Sequence, residues 1–190
     1  KMLPNLLEHI FFFASLSVLV VVVQAVKYDF VVENEDVFTP CEDFPDKFID
    51  KFFDISGLSF EREADLIKVT GDVKLIHEFD KAIPIQLDAQ IYKRSRGEWV
   101  DTIYNIRRPD FCPTLYSENE LWFIFTKVVP EQDRKCPPQP GLTISFDSLF
   151  GLSYDIYDRS AEGEYKLKVM IGQGRDIMCF EIESSVYKSD

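Results

Sequence analysis

Ile83-Pro84-Ile85-Gln86-Leu87-Asp88-Ala89-Gln90-Ile91-Tyr92 is the stretch that decides the fold class of this chain. Aliphatic side chains fall at every second position, with proline, polar and aromatic residues between them. Successive side chains of a strand point to opposite faces, so this reads as a strand with one face on a core and one in water. A helix would bring every third or fourth residue to one side instead. Downstream, Ser95-Arg96-Gly97 reads as a tight turn, because glycine tolerates φ > 0. Trp99-Val100 then starts a return strand toward Ile103. Upstream, Leu66-Ile67-Lys68-Val69 and Val73-Lys74-Leu75-Ile76 flank Gly71-Asp72, which reads as a second tight connection. The span from Asp65 to Thr102 is therefore expected to be an antiparallel meander.

The same period recurs along the chain. Tyr28, Phe30 and Val32 mark a first strand, and Leu142, Ile144 and Phe146 mark a later one. Tyr165, Leu167, Val169 and Ile171 alternate cleanly. Gly172-Gln173-Gly174 turns that strand, and Met178, Phe180 and Ile182 return on one face with Cys179 on the other. The run Leu121-Trp122-Phe123-Ile124-Phe125 is too continuous for a half-buried strand. It is a short helix within about 113–125 or a fully buried segment. Leu149 to Asp158 reads as an aromatic loop. Roughly seven to nine strands, turns at short intervals and no βαβ spacing give an all-β antiparallel, immunoglobulin-like β-sandwich.

The 190 residues are 46% hydrophobic and 28% charged, which suits one globular domain with a real core. The net charge of −12 repels phosphate backbones, so nucleic acid is not an expected partner. No charge occurs from Ile10 to Val26, and Val23-Gln24-Ala25 offers small or short residues where a signal peptidase reads. The expectation is a signal peptide at 1–25 and a mature domain at 26–190, in a secreted, extracellular protein, with the lysosomal lumen as second choice. An uncleaved anchor is the competing reading, although the run falls short of the ~20 apolar residues of a spanning helix.

Cys41, Cys112, Cys136 and Cys179 all follow that leader, and an even count in a secreted chain suggests disulfides. Spacing alone does not choose among the pairings. No CxxC occurs and His77 is the sole histidine beyond the leader, so neither a metal nor another cofactor is expected. GxSxG, P-loop, GxGxxG and HExxH patterns are absent. A hydrolase would have to use His77, which reads as a half-exposed strand residue beside Glu78. No catalytic residue is assigned, and the chain is not expected to be an enzyme.

Phe111-Cys112, Cys136-Pro137 before Gly141, Gly163-Glu164-Tyr165-Lys166-Leu167 and Cys179-Phe180-Glu181-Ile182 resemble the ML lipid-recognition family, in its ganglioside-activator branch. So do Val69-x-Gly71-Asp72-Val73 and Gly97-Glu98-Trp99. Cys41-Glu42-Asp43-Phe44-Pro45 and Arg96-Gly97-x-Trp99 are similar to the insect chemosensory CheB group of the same branch. The resemblance implies a sandwich whose sheets splay into an apolar cup that binds or transfers single lipids without catalysis. It also implies the pairings Cys41–Cys179 and Cys112–Cys136.

On that basis Ile85, Leu87, Ile91 and Trp99 would line one wall of the cup, and Tyr165, Leu167 and Val169 another. Leu149, Phe150, Tyr154 and Ile156 would form a mobile rim, with Trp122 and Phe123 as wall or rim. Ordinary sandwich core is the competing reading for each, because a cup wall and a core face share one period. The expected partner is a lipid or other hydrophobic small molecule, with a membrane surface or a receptor beside it. The competing function is a secreted sandwich that docks a receptor with no lipid inside.

Overall fold

The computed structural model describes residues 25–32, 34, 36–64, 66–157 and 160–189. The leader read at 1–25 lies outside these residues apart from Ala25. The described residues form an all-β sandwich of two antiparallel sheets, one of them strongly curled. In chain order the strands are β1 (Val26–Val31), β2 (Thr39–Pro40), β3 (Phe53–Glu63), β4 (Leu66–Leu75) and β5 (Gln86–Ser95). They continue with β6 (Glu98–Arg108), β7 (Thr143–Phe150), β8 (Leu152–Ile156), β9 (Gly163–Gln173) and β10 (Asp176–Lys188). The curled sheet runs β6-β5-β9-β10-β1-β8, with β2 also paired to β10, and the smaller sheet runs β3-β4-β7. The short helix α1 spans Phe123–Thr126, after a 3-10 turn at Cys112–Thr114.

The expected single meander is split. β4 lies in the small sheet and β5 in the curled one, and the chain crosses between them over 76–85. Gln173 pins this crossing: its amide accepts from Asp80 N–H at 2.8 Å and donates to the carbonyls of Asp80 and Ile83. Ile83, first in the alternating run, therefore lies before the strand and is exposed. Gly71-Asp72 is not a turn but sits inside β4. An added Cβ on Gly71 would stand 1.9 Å from the Gly57 carbonyl oxygen, beside the register shift between Asp54 and Gly57. Glycine within a strand pattern marks such a bulge or close approach as readily as a turn. The turn at Arg96-Gly97 is present, both residues having positive φ.

The supposed loop from Leu149 to Asp158 is also corrected. β7 ends at Phe150, and β8 begins at Leu152 in the other sheet, so the two sheets join through Gly151. Leu149 and Phe150 are therefore strand positions of β7, and Leu152, Tyr154 and Ile156 are strand positions of β8.

Both disulfides have the pairing the resemblance implied: Cys41–Cys179 at 2.01 Å and Cys112–Cys136 at 2.06 Å. The main core gathers Phe52, Leu75 and Phe79 against Leu87, Ala89, Val169, Met178 and Phe180. It joins the Leu75 end of the small sheet to the curled sheet. A second cluster, Tyr28, Ala161 and Val186, fills the curl near β1.

Candidate functional site

The site is built from the two inner faces beyond the main core. On the curled sheet, register places Ile91 beside Leu167 and Leu167 beside Ile182. One rung further, Lys93 is beside Tyr165 and Tyr165 beside Ser184. On the small sheet the face that carries Leu75 continues through Val73 and Val69 to Ile67, with Phe60, Phe146 and Phe150 on the flanking strands. In a closed sandwich these positions would be buried. Here Ile91, Leu167, Ile182, Phe60, Ile67, Phe146 and Phe150 are only half-buried.

The expected wall residues divide along this gradient. Ile85, Leu87 and Val169 are 2%, 4% and 7% exposed and belong to the main core. Ile91, Leu167 and Tyr165 share their face but are only half-buried, Leu167 at the edge of the main core and Tyr165 against the Tyr28–Val186 cluster. The Tyr165 hydroxyl donates to the Ala161 carbonyl at 2.8 Å, and Lys93 Nζ stands 5.1 Å from the ring centroid.

Trp99 does not join this wall. It pairs with Arg94, whose side chain points away from the Leu87-Ala89-Ile91 face. Lys166 and Arg94 lie over its ring at 5.3 and 5.5 Å, on the outer surface. Leu149 is likewise an outer residue, opposite Lys68 and 48% exposed. Phe150, its neighbour, faces inward, with Phe125 of α1 at 5.2 Å and Phe146 at 6.1 Å.

Trp122 packs against the core edge, its ring edge-on to Phe111 at 4.9 Å and its indole N–H donating to Thr114 O at 2.9 Å. Phe123 opens α1 and is half-buried. Tyr154 and Ile156 lie on edge strand β8, with Tyr154 edge-on to Phe30 at 5.5 Å. Burial pushes the Tyr154 hydroxyl above the usual phenol range. Ile156 packs into the Tyr28–Val186 cluster.

Sequence reasoning missed Phe60, Ile67, Phe146 and Phe125 as candidates. Alternation through Leu58 and Phe60, and through Ile144 and Phe146, was the available signal. At this open end a cavity of about 150 Å³ lies between Val32, Asn34, Val37, Phe60, Glu61, Arg62 and Ile67.

His77 lies just past β4 rather than within it. Its ring stacks on Phe52 at 4.0 Å and meets Phe79 edge-on at 4.8 Å. Among the described residues no cluster of His, Cys, Asp or Glu is arranged to hold a metal. No family model matches the sequence, and no curated protein matches it.

Proposed function

We propose that this protein is a secreted, non-catalytic lipid carrier of the ML type that holds one hydrophobic ligand between its sheets, with a role in chemosensation or pheromone response. The observation that carries the reading is the half-buried inner face at the edge of the Leu75 core, from Ile91, Leu167 and Ile182 across to Phe60, Phe146 and Phe150. Aliphatic and aromatic groups in that state keep some surface in water, and an acyl chain that covers it contributes about 0.8 kcal/mol per buried methylene. The two disulfides fit an oxidising compartment.

Native mass spectrometry of the secreted protein, followed by denaturing extraction, tests it. A mass excess that disappears on denaturation and yields an identifiable lipid is the expected result. An apo mass unchanged after incubation with lipid mixtures would overturn it. Leu167→Asp is the informative variant, because Leu167 is half-buried whereas Leu87 belongs to the core. It is expected to fold and to lose the lipid.

One observation favours a lipid-free docking module instead. Ile103, on the open edge strand β6, is 86% exposed, and Tyr104 beside it is 50% exposed. That reading requires an apo protein whose partner is lost on Ile103→Asp.

A further inference from the structure

We infer that the outer face of the curled sheet carries a second binding site, for a neutral saccharide. It does not depend on a lipid between the sheets, because it lies on the opposite face.

The site starts from a bulge. Gln90 pairs with Asn105 and Tyr92 with Asp101, so Thr102, Ile103 and Tyr104 all stand opposite Ile91. Two side chains lock this arrangement. The Thr102 hydroxyl donates to the Ile91 carbonyl at 2.6 Å, and Gln90 Nε2 donates to the Thr102 carbonyl at 3.0 Å. Bulges bend a strand and re-aim its side chains. Beside this one lies a cleft of about 410 Å³, lined by outward residues of β5, β6 and β9. A recognition surface built on adjacent strands holds its groups more rigidly than one built on loops.

The chemistry of the lining narrows the ligand. Its carboxylates are Asp88 and Asp101, and its cations are Arg107 and Lys168. Arg107 Nε already donates to Asp88 at 2.8 Å, and Lys168 Nζ is paired with Asp43 at 2.6 Å. A phosphate or sulfate requires an excess of free cations, which this cleft lacks. A divalent cation requires several carboxylate oxygens not already held by arginine or lysine. A purely apolar ligand would desolvate these charges without replacing their water.

A pyranose meets each requirement. Its hydroxyls both donate and accept: they can donate to Asp101 and to Gln90 Oε1 while accepting from the remaining Arg107 N–H groups. Its C–H face suits a flat ring, and Tyr92 in the lining carries one, with one side of that ring taken by Lys166 Nζ at 5.7 Å from the centroid.

The test is titration calorimetry of the mature protein with maltotriose, mannotriose, chitotriose and lactose. At least one is expected to bind with a Kd of about 1 mM or tighter. Tyr92→Ala and Asp101→Asn are each expected to weaken that binding by about tenfold or more, with the melting temperature retained. Should Tyr92→Ala fail to fold, Asp101→Asn and the exposed Arg107→Gln carry the test. The proposal is overturned if none of the sugars binds, if these variants bind as the wild type does, or if a sulfated heparin trisaccharide binds more tightly than any neutral one.

Discussion

Gly71 sits where a side chain has no room. Its φ of +102° is left-handed, and an added Cβ would stand 1.9 Å from the Gly57 carbonyl oxygen. Gly71→Ala is expected to destabilise by about 3 kcal/mol or more in urea unfolding, through strain plus backbone displacement. Gly97, at +89° with nothing within 4 Å of an added Cβ, offers the contrast. Gly97→Ala is expected to cost only about 1 kcal/mol, the conformational penalty alone. Lys166 and Glu181 form an ion pair at 3.1 Å with side chains only 10% and 8% exposed. Removing one partner strands a desolvated charge, so Glu181→Ala should cost about 3 kcal/mol or more by the same measurement. Asp43 is a milder case. The Lys168 hydrogen bond holds its carboxyl below the usual carboxylate range. A depressed carboxyl contributes stability above its unfolded pKa, near 4, and loses it as pH falls through the folded value. Asp43→Asn should therefore cost less than about 1 kcal/mol at neutral pH, since Asp43 is exposed. That difference should vanish once acid has protonated Asp43 in the wild type.

At the scale of elements, the β6 bulge and the 76–85 crossing carry the departures from regular structure. The Thr102 hydroxyl donates to the Ile91 carbonyl, which also accepts from Gln90 Nε2 at 3.2 Å. Thr102→Val keeps the shape and removes the donor, so it should cost about 1–2 kcal/mol. Its outcome is read by urea unfolding. The crossing is held by the Gln173 amide, itself only 7% exposed. Gln173→Ala should loosen that segment before the sheets, raising hydrogen exchange at the Asp80 amide while the β9–β10 amides stay protected. Most elements were legible because a half-buried strand announces itself by its period of two. The misplaced ones share a cause. Gly71 looked like punctuation because a bulge and a turn both favour glycine. Leu149 and Phe150 read as one loop because nothing in the local pattern marks a strand leaving one sheet and entering the other.

For the whole molecule, the two disulfides close very different lengths of chain. Cys112 and Cys136 are 24 residues apart, and Cys41 and Cys179 are 138 apart. In the chain-entropy model these closures contribute about 3 and about 5 kcal/mol. Replacing Cys41 and Cys179 by serine is therefore expected to lower the urea midpoint further than replacing Cys112 and Cys136. The sequence alone determined the all-β class, the strand period and the turn at Arg96-Gly97, because these depend on near neighbours along the chain. Tertiary structure alone decided which sheet each strand joins, and so which alternating residues are sealed core and which line open space. Leu87 and Leu167 have the same pattern, yet Leu87 is sealed in the core and Leu167 only half-buried at its edge, since burial depends on how far the second sheet reaches across. Trp99 is the converse case: the two-residue turn at Arg96-Gly97 pairs it with Arg94 and so puts it on the outer face, before the bulge at Thr102 is reached.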